Sequence, residues 1–184
     1  HRLGTDDVRT YYEDCHDAFR KYHSADGAVH MALNEGARFD ASGFAGQMQR
    51  IEQRWRARGT PPPACMLELG FGQGFNIEYL VSRHDALRLQ GIDLAPTHVA
   101  LASERLRARG LLDRVELQLG DFNALPQADA GVDEAYAVEA MCHASDLPHA
   151  LAEVARVLRP GGALTLFDGY LPRAAAQLDE PGAL

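Results

Sequence analysis

Apolar and polar positions divide this chain into two stretches of different rhythm. Up to about residue 60 the rhythm is helical. Phe44, Met48, Ile51 and Trp55 follow one another at steps of four, three and four, which places them on one stripe of a helix. The stretch from Asp6 to Tyr22, carrying Tyr11, Tyr12, Phe19 and Tyr22, is also compatible with a helix. Gly59-Thr60-Pro61-Pro62-Pro63 then stops the pattern, because consecutive prolines cannot continue a helix. A boundary falls there, between an N-terminal helical cap or lid, residues 1–60, and a core spanning residues 64–184.

Beyond the prolines, short apolar runs alternate with helix-compatible segments. Strands are predicted over Ala64 to Leu69, Leu87 to Ile92, Val115 to Leu119, Val132 to Val138 and Ala163 to Phe167. Helices are predicted behind the first strand (Phe75 to about His84), from Pro96 to Gly110, and over Leu147 to Leu158. Arg159-Pro160-Gly161-Gly162 closes the last of these. Repeated strand–helix alternation predicts an α/β fold, a doubly wound parallel sheet with helices on both faces.

The first strand ends in Glu68-Leu69-Gly70-Phe71-Gly72-Gln73-Gly74. Glycine admits positive φ and lets a ligand approach the backbone, and the helix that follows leaves N–H groups free to face it. Such a turn suits an adenosine-containing cofactor. A dinucleotide fingerprint would read G-x-G-x-x-G, whereas here the glycines are two apart and a carboxylate stands inside the strand. In open α/β sheets, ligands bind beyond the carboxyl ends of the strands. The polar residues at those ends are Glu68, Asp93, Asp121 and Glu139. Asp93 follows the loop at about the distance where an acid accepts hydrogen bonds from ribose hydroxyls.

These motifs, in this order, resemble the class I S-adenosylmethionine-dependent methyltransferases over residues 64 to about 168. The resemblance implies a Rossmann-like sheet that holds S-adenosyl-L-methionine and releases S-adenosyl-L-homocysteine. It implies cofactor contacts at Glu68, Gly70, Gly72, Gly74, Asp93, Leu94, Asp121, Phe122 and Glu139, with the ribose on Asp93 and the adenine beside Gly120-Asp121-Phe122. Ala137-Val138-Glu139-Ala140-Met141-Cys142-His143 is similar to the motif near the transferred methyl. Glu153 to Gly162 looks like the helix-to-turn signature before the fifth strand. The aromatic N-terminal helix and the Glu139-x-x-x-His143 spacing resemble the group acting on sterols, tocopherols, quinones and other natural products. In that group a segment similar to Val29-His30-Met31 folds over the cofactor. Tyr11, Tyr12, Tyr22 and His30 are the substrate and lid candidates.

Composition narrows the partners. The formal net charge of −8 argues against a general affinity for nucleic-acid phosphates. The run Arg54-Trp55-Arg56-Ala57-Arg58 is expected to be the solvated side of a helix. Cys15, Cys65 and Cys142 lie far apart and form no C-x-x-C pair, so neither a zinc site nor a disulfide framework is expected and a reducing cytoplasm fits. No stretch approaches the ~18 apolar residues of a membrane span. The expected partner is a small-molecule acceptor, with a homodimer as the candidate assembly.

Methyl transfer from a sulfonium is an in-line displacement that asks the protein mainly to align the reactants. A hydroxyl or amine acceptor gains from a nearby base, and His143 is the candidate because a free imidazole titrates near neutrality. With an alkene carbon as acceptor, a developing cation would be stabilised by the tyrosine rings and the Glu139 charge. The residues alone leave two alternatives open, a nicotinamide-dependent oxidoreductase and a cofactor-binding partner subunit without activity. The resembled family places two further strands after the fifth, and the stretch after Phe167 is too short for them. The expectation is therefore a fragment whose fifth strand is an exposed edge open to self-association.

Overall fold

The computed structural model describes residues 4–34, 36 and 38–169. The tail from Arg173 to Glu180, whose sequence is compatible with a helix start, lies outside the described residues. At the centre is a five-stranded parallel sheet in the order β3-β2-β1-β4-β5. Its strands are β1 (Cys65–Leu69), β2 (Arg88–Asp93), β3 (Val115–Leu119), β4 (Val132–Val138) and β5 (Leu158–Phe167). The order reverses between β1 and β4, and the glycine loop lies at that switch point.

Helices cover both faces. The alternation of side chains along β1 sends Met66 to one face and Leu67 and Leu69 to the other. On the first face Met66 and Tyr136 join α2 (Gly46–Arg58), α3 (Phe75–Arg83) and α4 (Pro96–Ala108) through Met48, Ile51, Trp55, Ile77, Leu80 and Leu106. On the second, Leu67, Leu69, Ala135 and Ala137 pack against Ala150, Val154 and Val157 of α5 (Leu147–Val157). The predicted stripe Phe44, Met48, Ile51, Trp55 is buried along its whole length. α2 ends at Gly59 (φ 65°), where the Gly59 and Thr60 amides donate back to the carbonyls of Arg56 and Trp55 before the prolines.

Three local expectations change. The first helix, α1 (Thr5–Ala18), passes into a π-helical turn over Phe19–His23 instead of remaining α-helical to Tyr22. α5 ends at Val157, and β5 begins at Leu158 rather than Ala163. Val132 pairs with Leu158 and Glu134 with Ala163, so Arg159 to Gly162 loop out opposite Asp133. A glycine is required at 162, where a Cβ would lie 2.8 Å from the Asp133 carbonyl oxygen. The arginine run is not wholly solvated either. Arg54 crosses the sheet to donate to the Glu134 carboxylate and Thr165, and the Trp55 indole N–H donates to the same carboxylate at 3.0 Å.

The loop after β3 is stapled to α5. Arg156 donates to the carbonyls of Leu125 and Gln127 and to the carboxylates of Asp129 and Glu153. Its guanidinium holds the Glu153 carboxyl down to about 2. This staple fixes the loop that carries Phe122 toward the centre of the sheet. No helix among the described residues is long and apolar enough to cross a membrane.

Candidate cofactor and catalytic site

Gly70 and Gly72 adopt positive φ, 71° and 54°, and turn the chain sharply off β1. A Cβ on Gly70 would lie 2.5 Å from that of Ala140, and one on Gly72 would lie 2.5 Å from Val29 Cγ2. The loop is therefore clasped between the turn after β4 and an N-terminal strap, residues 24–34. The cleft it opens onto is lined by Tyr12, Asp93, Leu94, His98, Phe122, Val138, Glu139 and His143, among others.

Asp93 is buried and already engaged. Its Oδ2 accepts from Gly72 N at 2.8 Å, and its Oδ1 accepts from Ala95 N at 2.9 Å. His98 Nδ1 lies 3.1 Å from the same Oδ1. Only Nδ1–H can donate there, so neutral His98 carries its proton on Nδ1 and a lone pair on Nε2. That Nε2 is buried and has no partner.

The other polar groups gather at the ends of β4 and β5. Tyr12 of α1 crosses the cleft so that its hydroxyl lies 3.0 Å from His143 Nε2. Burial, more than the nearby Cys142, Tyr11, Asp93 and Glu139, keeps the Tyr12 phenol well above its ordinary pKa and hence protonated. Glu139 holds φ of 50°, a left-handed backbone costly for a side chain of its size. Its Oε1 accepts from Met31 N of the strap at 2.9 Å. Asp168 follows β5, its carboxyl held above the usual carboxylate range by burial, against the lowering effect of the neighbouring Cys142 and Met141, with Glu139 raising it further. Burial and Asp168 push the Cys142 thiol up to about 12, which leaves it a poor nucleophile.

Of the residues singled out from the sequence, the fold brings Gly70, Gly72, Asp93, Leu94, Phe122, Glu139, His143 and Tyr12 to the cleft. Others stand elsewhere. Glu68 shares the face of β1 that carries Met66, so alternation buries it beneath α3, where it accepts from Tyr136 Oη (2.9 Å) and Asn76 Nδ2 (3.1 Å). Gly74 caps α3 against Ala102. Asp121 is tied into its own turn by the backbone and side-chain amides of Asn123, each donating at 2.8 Å. Tyr11 and Tyr22 are 51% and 78% exposed and do not line the cleft. His30 belongs to the strap and is buried, outside the cleft lining.

The residues singled out from the sequence omit one cleft residue, His98, and one acid beside Cys142, Asp168. His98 sits five positions after Asp93, in the first turn of α4, where a lone histidine carries no motif. Asp168 immediately follows the fifth strand, and the strand-end rule that selected Asp93 and Glu139 would have found it.

A glycine turn at the switch point, an engaged acid after β2 and apolar Leu94 and Phe122 together define an α/β protein built to hold a nucleoside-containing cofactor. Residues 67–166 match the family model described as a methyltransferase domain. The chain therefore belongs to the class I S-adenosylmethionine-dependent methyltransferases, not to the nicotinamide-dependent oxidoreductases. It is 30% identical over 162 residues to the methyltransferase GfsG of Streptomyces halstedii, covering 88% of this chain and 57% of that protein. Identity to the 27-O-demethylrifamycin SV methyltransferase of Amycolatopsis mediterranei (strain S699) is 33% over 114 residues, 62% of this chain and 42% of the relative. Among solved structures, the [4+2]-cyclase SpnF superposes with a TM-score of 0.78 at 25% identity, over 89% of this chain and 60% of that one. The chain spans less than two thirds of each of these proteins. The cleft fits the family's cofactor: the Asp93–His98 pair offers acceptors to a ribose diol, with Leu94 and Phe122 beside it for a flat base.

Proposed function

We propose that this protein transfers a methyl group from S-adenosyl-L-methionine to a hydroxyl of a small-molecule acceptor, leaving S-adenosyl-L-homocysteine. The observation that carries this reading is the Tyr12–His143 pair, 3.0 Å apart in the cofactor cleft. When bound, the cofactor supplies an electrophilic methyl on a sulfonium. The protein's task is to orient the acceptor, exclude water and receive one proton.

Tyr12 holds its proton toward His143 Nε2, which leaves the phenol oxygen free to accept from an incoming hydroxyl. As the new oxygen–carbon bond forms, that hydroxyl proton passes to Tyr12 while the Tyr12 proton passes to His143. His143 receives that proton across the 3.0 Å contact with the Tyr12 hydroxyl. Support for an oxygen acceptor comes from the Tyr12 hydroxyl, which turns the one tyrosine of the three that lines the cleft into part of a proton path. On the cofactor side, Gly70, Gly72, Asp93, Leu94 and Phe122 are the proposed direct contacts, with Asp121 reached through its turn. Glu68 and Gly74 act from behind the loop.

The residues 1–60 segment works in this reading as a cap whose moving part is α1 and the strap. A reducing cytosol suits three free cysteines. A second copy of the chain is the proposed partner, pairing through the outer edge of β5, and light scattering that finds only monomer would remove that partner.

The test is a methyl-transfer assay with a panel of hydroxylated and unsaturated acceptors, read by mass. Methylation of hydroxylated acceptors that His143→Ala abolishes supports the proposal. Tight cofactor binding without product across the panel would favour a non-catalytic partner subunit.

A further inference from the structure

Between the glycine loop and the strap lies a buried chain of polar side chains that the methyl-transfer reading does not use. Tyr136 donates to Glu68 Oε2 at 2.9 Å, and Glu68 Oε1 lies 3.1 Å from the Asn76 side-chain amide. The other end of that amide is 3.2 Å from His30 Nε2, and His30 Nδ1 is 3.1 Å from the Met31 carbonyl. Glu68, Asn76, His30 and Tyr136 are all at least 96% buried. Water therefore cannot substitute for a missing partner, and each group must be satisfied by the next.

Counting hydrogens along the chain gives a definite result. A carbonyl can only accept, so His30 Nδ1 must carry a hydrogen to reach Met31 O. An amide presents a donor at one end and an acceptor at the other, and which is which is not fixed by its shape. If Asn76 donates to a Glu68 carboxylate, its oxygen faces His30 Nε2, which must then carry a second hydrogen. If the amide is turned over, its oxygen accepts from a protonated Glu68 and its nitrogen donates to a neutral His30. Both arrangements hold the same single extra proton, on His30 in the first and on Glu68 in the second. Without that proton, one junction sets two lone pairs against each other.

We propose that Asn76, with Glu68 and His30, is a positioning group that fastens the strap over the cofactor cleft by means of this one shared proton. Beyond the placement of the cleft, the inference rests on the methyl-transfer reading only for its consequence, retention of the cofactor. The strap's other ties are independent of the proton. Gln47 Nε2 donates to Met31 O at 2.8 Å, His23 Nε2 lies 2.9 Å from His30 O, and Met31 N donates to Glu139. The central tie is the one whose junctions require the shared proton. Burial pushes Glu68 up to about 8, against the smaller effect of its Asn76 and Tyr136 bonds, with Asp93 of β2 raising it further. Burial lowers His30, opposed by the Met31 carbonyl, Glu139 and Asn76, with His23 adding to the lowering. The turned-over arrangement, with the proton on Glu68, is the one these environments favour.

The sign follows from linkage. Closing the strap sets His30 against Asn76, and that junction is complete only with the shared proton in place, so closure and proton binding favour each other. The Glu68 contribution to closure is complete below the open-state value and is lost as pH rises through about 8. Glu68→Gln supplies a donor toward Asn76 without a titrating proton: its oxygen accepts from Tyr136, its amide nitrogen donates to Asn76, and Asn76 donates to His30.

Hydrogen exchange of residues 24–34 in the cofactor-free protein, corrected for intrinsic rates, tests this from pH 6 to 9. Protection in the parent protein should fall by up to about tenfold between pH 7 and 9. In Glu68→Gln it should stay level, and in His30→Phe it should be low throughout. Protection that ignores pH in the parent, or a step that persists in Glu68→Gln, would overturn the proposal. Nitrogen chemical shifts of His30 in the unsubstituted protein give a second reading that depends on no variant: they should titrate at the midpoint of the strap amides, and distinct midpoints count against it. Both measurements are made without cofactor. A protein that then failed to bind S-adenosyl-L-homocysteine would refute the proposed function and leave the strap result standing.

Discussion

Two helices precede the sheet, and they differ in kind. α2 buries Met48, Ile51 and Trp55 in the same apolar cluster as β1, α3 and β4, and its Trp55 and Arg54 bind Glu134 of the sheet. α1 buries one residue, Val8, and leaves Tyr11 half in solvent. It reaches the core through polar contacts at the cleft, Tyr12 to His143 and Thr5 to Asp121. The cap read from the sequence as one unit therefore contains an element of the core and an element of the site. A helix held by an apolar stripe contributes stability, whereas one held by a few polar contacts at a cleft is suited to open and close.

Substitutions on the two helices can break or sharpen this contrast. The largest effect is expected from Trp55→Ala in α2, which removes a buried ring and orphans a bond to Glu134. It should lower unfolding free energy by about 3–5 kcal/mol in a denaturant titration. A loss below about 1 kcal/mol would put α2 in the same class as α1.

On the α1 side, His143→Ala and Tyr12→Phe break the pair that ties the helix to the site. We expect His143→Ala to reduce turnover by about 100-fold and Tyr12→Phe by about tenfold, with little change in melting temperature for the latter. Parallel losses of stability and turnover in Tyr12→Phe would show that α1 is held as α2 is.

Below the helices, the shared floor is Asp93. Asp93→Ala should weaken S-adenosyl-L-homocysteine binding by about 1–3 kcal/mol in calorimetry. Because Asp93 also ties Gly72, Ala95 and His98, the fold should soften too. His98→Leu separates the two effects: it leaves the Gly72 and Ala95 bonds in place, so affinity should fall by about tenfold while the loop survives. The smallest effect is reserved for Tyr11→Ala, whose exposed ring should change stability by no more than about 0.5 kcal/mol.

The parts of the fold legible in the sequence are those where one short segment carries its own rule. The glycines at 70, 72 and 74, Pro96 before α4, Gly110 after it and the stripe on α2 each state a backbone or packing requirement within a few residues. Even there, boundaries moved where a distant partner intervened. β5 begins five residues earlier than read because Val132 of β4 pairs with Leu158, and the glycines after it are needed for a bulge as well as a turn.

Sequence by itself determined the parallel α/β class, the cofactor loop, and Asp93 and Glu139 as polar groups at strand ends, because periodicity and strand-end position are local properties. Tertiary structure alone decided how those ends are used. It turned Glu68 into the core through the two-residue repeat of β1 and bonded it to Asn76, eight positions on. It set Tyr12 against His143 across 131 positions of chain and left Tyr11, its neighbour, outside. It also gave His98 its place in the cleft. Such choices depend on which side chains meet across the packed layers, and a buried polar group takes whichever partner the packing presents.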